Sequence, residues 1–134
     1  MPGVVTVTRA IDYLDPDRRF APIEIITFTW VGDSADGTLP STVVPNGKVY
    51  GTLLRLVTDP GTPAPTALYD ISVTDEDGLD VLGAAGQNRS ATVTEEAELK
   101  MTTFQRVVAN TLTFVLTGQA VLSAQGVARI YILR

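Results

Sequence analysis

The sequence predicts an all-β fold in a single domain spanning residues 1–134. The expected architecture is a β-sandwich or jelly-roll-like barrel of roughly seven to eight strands with long loops. Three observations predict it. Apolar and polar residues alternate with period two in several short segments. Segments rich in Gly, Pro, Asp and Asn separate these runs. No stretch sustains a 3.6-residue apolar period long enough for a long helix, which argues against a wound α/β fold. No repeat of fixed period is present.

Val4 to Thr8 is β-branched throughout and reads as the first strand. Arg9 to Phe20 reads as a loop, with a helical turn at Ala10 to Leu14 as the alternative. Asp15-Pro16-Asp17 is turn chemistry, and Asp12, Asp15 and Asp17 stand near Arg18 and Arg19 as a solvated charge cluster. Ile23 to Val31 reads as a strand with Ile26, Phe28 and Trp30 on its core face. Its other face, Ile25, Thr27, Thr29 and Val31, is semi-polar and suited to a second sheet or another subunit. Trp30, the one tryptophan, reads as core, with an exposed contact role as the alternative.

Gly32 to Thr38 is a loop of small and acidic residues. Leu39 to Pro45 holds Pro40 and Pro45 and reads as an edge or linker. Asn46-Gly47 is a strong hairpin turn signal, weakened by Pro45 in its upstream arm. Lys48 to Thr58 reads as a long strand with a bulge or bend near Gly51. Asp59 to Thr66, with three prolines, reads as an irregular extended loop.

Tyr69 to Leu82 is the most patterned stretch. Tyr69, Ile71 and Val73 alternate with Asp70, Ser72 and Thr74, and a turn at Asp75 to Gly78 precedes Leu79 and Val81 around Asp80. It reads as a β-hairpin centred on Asp77-Gly78. Gly83 to Ala91 is a loop of small residues. Over Thr92 to Arg106, the Thr92 and Glu95 pair matches a capping box and suggests one short helix, with an extended connection as the alternative. Val107 to Thr117 reads as one strand with Leu112, Phe114 and Leu116 on one face. Gly118 to Gly126 is a loop, and Val127 to Leu133 a final strand.

Composition narrows the chemistry. With no cysteine, disulfides and thiolate metal sites are excluded. With no histidine, the usual general base and the commonest metal ligand are missing too. Hence no enzyme activity is expected. The net charge of -5 argues against a nucleic-acid footprint. No apolar run approaches the roughly 20 residues of a membrane span. The Met1-Pro2-Gly3 start also lacks the pattern of a secretory signal.

Several constellations remain to be weighed. Asp75, Glu76, Asp77 and Asp80 could bind Ca²⁺ or serve as a carboxylate pair, but the EF-hand register is missing and a wet hairpin tip leaves carboxylates ordinary. A solvated turn is the expectation, with no metal and no cofactor. Gly83-Ala84-Ala85-Gly86 lacks the spacing of a phosphate loop. The serines have no activating base and no Ser-Lys motif. Arg89 is expected to bridge to the acidic turn, or else to a neighbouring subunit.

The run Y-D-I-S-V-T-D-E-D-G-L-D-V-L from Tyr69 to Leu82, followed by Gly83, Gly86 and Asn88-Arg89, resembles a segment of small structural proteins of tailed bacteriophages and prophages. Those proteins join such a hairpin to a glycine-rich G-x-N-R loop and end in two further strands. Asn110 to Gly118 and Val127 to Ile132 resemble these, and Ile26 to Trp30 resembles their second strand. Thr92 to Arg106 matches none of the pattern. The resemblance implies a virion component without catalytic residues, made in the bacterial host cytoplasm. A capsid cement (decoration) protein on the capsid surface is favoured over a tail or head-tail connector component. It further implies contact with the major capsid protein and a homo-oligomer, with a trimer favoured. No nucleic acid or membrane partner is expected. Candidate contact residues are Pro60, Pro63 and Pro65 of the proline-rich loop and Gly83, Gly86, Asn88 and Arg89 of the glycine-rich loop. A carbohydrate-binding module stacking sugars on Trp30, Tyr50 or Tyr131 is the alternative from another class.

Overall fold

The computed structural model describes residues 1–12, 22–99 and 107–134. Nine strands form among them: β1 (Val4–Asp12), β2 (Ile23–Val31), β3 (Thr42–Val43), β4 (Val49–Pro60), β5 (Asp70–Thr74), β6 (Glu95–Glu98), β7 (Val107–Asn110), β8 (Thr113–Thr117) and β9 (Gln125–Leu133). All pairings are antiparallel. A six-stranded sheet runs β1-β2-β9-β4-β6, with β7 also on β4, and a three-stranded sheet runs β3-β8-β5. The two sheets make an open sandwich rather than a closed barrel.

The core lies between the sheets, where alternation sends one set of side chains inward. Ile26, Phe28 and Trp30 from β2 meet Ile71, Val73, Phe114 and Leu116 from the small sheet, all buried. Phe28 stacks on Phe114 at 4.4 Å, and Trp30 meets Tyr69 edge-on at 5.7 Å. Ala128, Ile130 and Ile132 of β9 and Leu53 and Leu56 of β4 extend this layer. The missing side chain at Gly126, the β9 partner of Trp30, makes room for the indole: a Cβ there would run into the Trp30 ring.

Several expectations hold in detail. β2 has the predicted span and core face. The Leu39 to Pro45 segment forms only the two-residue edge strand β3. Others need correction, each for a physical reason. The strand begun at Val4 continues to Asp12, because every residue from Val4 to Asp12 has a partner on β2. The charge cluster around Asp15 and Arg18 lies outside the described residues. The expected bulge is real, but the register shifts between Leu53 and Arg55 rather than at Gly51. Gly51 instead takes φ +140° where its missing Cβ lets the Leu133 carbonyl approach.

Asn46 and Gly47 both have positive φ, as the signal requires. They join strands of different sheets, so the turn is a corner and not a hairpin. The Tyr69 to Leu82 hairpin has one true arm. Past the turn only Thr74 and Asp80 bridge, Leu79 is 66% exposed, and β5 pairs with β8. The Asp80 carboxylate explains this: Oδ1 accepts from the backbone N–H of Val73 and Leu82, and Oδ2 from Ala84, which curls the chain off the strand path. Val107 to Thr117 splits into β7 and β8, which lie in different sheets. The capping-box residues lie in a bend at Thr92 that leads into the strand at Glu95. Ser90 Oγ accepts from Thr92 and Val93 N–H, and Glu95 begins β6. The expected short helix is therefore absent over 92–99, while 100–106 lie outside the described residues.

Candidate partner-contact surface

The two candidate loops meet at one end of the sandwich. The proline-rich loop leaves β4 at Pro60, passes a cis Thr62–Pro63 bond, and is stitched to the 118–126 loop. Gly61 N–H donates to the Gln125 carbonyl at 2.8 Å, and Gln125 N–H to the Pro63 carbonyl at 2.9 Å. Gln119, buried, is the hub. Its Oε1 accepts from Thr66 and Val121 N–H, and its Nε2 donates to the Gly37 and Val121 carbonyls at 2.8 Å. Three loops are thus fixed by one amide, whose donors and acceptor are all used.

The glycine-rich loop docks on the small sheet. Ile71 N–H donates to the Gly86 carbonyl at 2.8 Å, so close that a Cβ on Gly86 would strike the Ile71 carbonyl oxygen. Asn88, at φ +55°, gives its N–H to Asp70 Oδ1 at 2.8 Å. Arg89 turns inward and is 6% exposed. Its Nε donates to Thr58 Oγ1 at 3.1 Å, Nη1 to the Ala85 carbonyl at 3.0 Å, and Nη2 pairs with Glu95 at 2.9 Å. The expected bridge from Arg89 to the acidic turn is therefore replaced by one to Glu95. The acidic turn sits at the far end of β5, beyond Thr74.

Beside Arg89 the Tyr69 hydroxyl is buried without a hydrogen-bond partner. Burial pushes its phenol up to about 12, with the Arg89 guanidinium pulling the other way.

Of the seven predicted contact residues, Pro63, Gly83 and Asn88 are exposed and Pro60 is partly covered. Pro65, Gly86 and Arg89 are buried within the chain, so they shape the loops rather than touch a partner. Sequence reasoning missed the side chains that this end does present. Leu68 is 63% exposed and held at φ +63°, an uncommon backbone state for a bulky residue. Val121 and Leu122 are exposed on the adjoining loop. Each follows a breaker-rich stretch, and no local signal separates an exposed loop leucine from a buried one.

The acidic turn is spent on its own backbone. Asp75 Oδ1 accepts from Asp77 and Leu79 N–H, and Asp80 is used as described above. Glu76 accepts from Thr111 N–H at 3.1 Å and lies 3.9 Å from Lys48 Nζ. The Thr111 bonds first, then Lys48, hold its carboxyl below the usual range. Among the described residues no group of three metal-ligating side chains comes together. A depression of about 130 Å³, lined by Thr29, Asp59, Pro60, Gly61, Gln125 and Val127, adjoins the proline-rich loop. It is below the roughly 300 Å³ at which small-molecule sites begin. Trp30 is fully buried and cannot stack on a sugar, and Tyr131 is covered by Arg55 at 4.2 Å. Of that trio only Tyr50 stands free, about half exposed.

Comparison with protein-family models, with curated proteins and with solved structures gave no match.

Proposed function

We propose that the chain is a non-enzymatic structural protein of a tailed-bacteriophage virion, made in the host cytoplasm. In this reading it is a cement protein that sits on the capsid surface and bridges subunits of the major capsid protein as a homo-oligomer. The observation that carries the reading is the loop end. There Pro63, Leu68, Val121 and Leu122 stand exposed on loops that Gln119 and the Gly61–Gln125–Pro63 ladder hold in place. Apolar side chains on a pre-ordered frame suit docking against a protein surface, since little ordering entropy is lost on binding. The sequence motif supports the same class, and its acids serve as turn caps that keep the frame stiff.

The test is to mix purified protein with expanded capsids that lack it. Binding in many copies over the shell, weakened at least about tenfold by Leu68→Asp or Leu122→Asp in folded protein, is the expected result. Absence of association with such capsids sinks the cement reading. A few copies confined to the vertex or tail would move the protein to a connector or tail role.

A further inference from the structure

The four sheet edges of this molecule are not alike. In the large sheet, the β6–β7 side is split into two four-residue strands, and β6 carries Glu95, Glu96 and Glu98. In the small sheet, β3 is two residues long between Pro40 and Pro45. The free side of β5 is closed by its own chain, through Val81 N–H to the Val73 carbonyl and Ile71 N–H to the Gly86 carbonyl. Short strands, acidic side chains, flanking prolines and covering turns are the devices that keep an edge from recruiting another strand.

β1 is the least guarded of the four: Asp12 is its last residue and Pro2 lies two residues before Val4, but among the described residues no turn covers its free side. It is nine residues long, reads V-V-T-V-T-R-A-I-D, and contains no proline, glycine or lysine. Its backbone pairs with β2 alone among the described residues. Arg9, its one cation, is turned inward. Nε reaches Glu24 at 2.6 Å, and the terminal nitrogens donate to the carbonyls of Pro45, Asn46, Gly47 and Lys48. The strand is also pinned at its start. The Met1 amino group donates to Ser34 Oγ at 2.6 Å, and Ser34 N–H donates to the Met1 carbonyl at 3.0 Å. β1 is therefore a fixed, pre-extended template and not a loose arm.

We propose that β1 pairs antiparallel with β1 of a second copy about a two-fold axis, joining the two large sheets into one. The choice of a second copy rests on self-complementarity. Val5, Val7, Arg9 and Ile11 share the inward face, in register with Trp30, Phe28, Ile26 and Glu24. A two-fold axis perpendicular to the sheet keeps that face common, so residues of equal parity meet. Placed at Thr8, the strand midpoint, it sets Val5 against Ile11 twice, Val7 against Arg9, Thr6 against Ala10, Val4 against Asp12 and Thr8 against Thr8. No like charges face one another. Val5 and Ile11 point inward yet remain partly and 43% exposed, because the small sheet is too narrow to cover them. The pairing covers both. Any ring of another order must join β1 to one of the three guarded edges, so the edges favour a dimer over the three-fold order that the resemblance implies. The pairing does not depend on the virion reading.

The chain has no cysteine, which makes cross-linking clean. Directly opposed residues lie about 4.5–5.5 Å apart at Cα, within disulfide reach. At about 50 μM, sedimentation should give twice the monomer mass. Mild oxidation of Thr8→Cys should give a covalent dimer, while exposed Gln87→Cys stays single under the same conditions. Thr8→Lys places two ammonium groups opposite each other and should yield monomer with an unchanged circular dichroism spectrum. A native monomer or trimer, cross-linking at Thr8 no faster than at Gln87, or a folded Thr8→Lys variant that stays dimeric would each overturn the pairing. A native monomer that takes up only a foreign strand overturns it as well.

Discussion

At the residue scale, the most consequential side chain that sequence reading overlooked is Glu24. It is 1% exposed, 2.6 Å from Arg9 and 3.7 Å from Arg134. A buried carboxylate survives only with such partners, since desolvating a lone charge costs several kcal/mol. The signal was in the sequence. Glu24 has the parity of Ile26, Phe28 and Trp30, so it lies on the core face of its strand. An acid in that phase demands a cation, and Arg9 has the matching phase in β1. Arg9→Met should therefore cost about 3–5 kcal/mol. The double variant Arg9→Met/Glu24→Leu should recover most of it, because the corner carbonyls that Arg9 served lie among solvent-exposed residues. Urea unfolding of the two single variants and the double variant measures the coupling. Full additivity would contradict it.

At the element scale, strands were legible and their partners were not. The span of β2 follows from alternation alone, and the shortness of β3 follows from its prolines. Nothing local could tell that Val107 to Thr117 crosses from one sheet to the other, since both halves keep strand geometry and apolar phase. The second arm of the hairpin failed for a comparable reason. Alternation at Leu79 and Val81 promised a strand, while three backbone bonds to one Asp80 carboxylate curled the chain away. Glycines show the same division. Gly47 and Gly126 look equivalent in sequence. Gly47 has open space around it and needs only its φ of +83°, whereas Gly126 lies under the Trp30 ring. Gly47→Ala should cost about 1 kcal/mol from backbone strain. Gly126→Ala should cost about 2–3 kcal/mol, with a shift in Trp30 emission as the ring is displaced. Equal losses in thermal unfolding would refute the packing account.

At the scale of the whole molecule, the sandwich is lopsided. A six-stranded sheet faces a three-stranded one, and the consequences are the uncovered margin at β1 and the concentration of stitched loops at one end. The titrating groups give stability a definite dependence on pH. Tyr69 stands between the sheets with its phenol raised to about 12 against an ordinary value of 10.0. A raised folded-state value means that stability is whole below pH 10 and falls as pH rises through 12. Tyr69→Phe should match the native protein within about 1 kcal/mol at neutral pH and lose this alkaline decline. Melting temperatures recorded from neutral pH to the alkaline limit would show it, and an identical decline in both proteins would exclude Tyr69 as its source. Asp36 and Glu76 act with the opposite sign. Their lowered values give stability present above the unfolded range and lost as pH falls. Both are solvated surface groups, so water and salt screen the effect and the acid decline they cause is shallow.

The amino-acid sequence by itself determined the all-β class, the span and core face of β2, the burial of Trp30, the positive φ at Asn46-Gly47 and the shortness of β3. These depend on side chains one to four positions apart, through alternation, positive φ and the missing N–H of proline. Only the tertiary structure decided which strands share a sheet, that Asn46-Gly47 turns a corner between sheets, that Arg89 answers Glu95, and that Leu68 and Leu122 face outward while Pro65 and Gly86 do not. Those outcomes are set by contacts between segments far apart in the chain. A residue's own neighbours carry no record of the surface that closes over it.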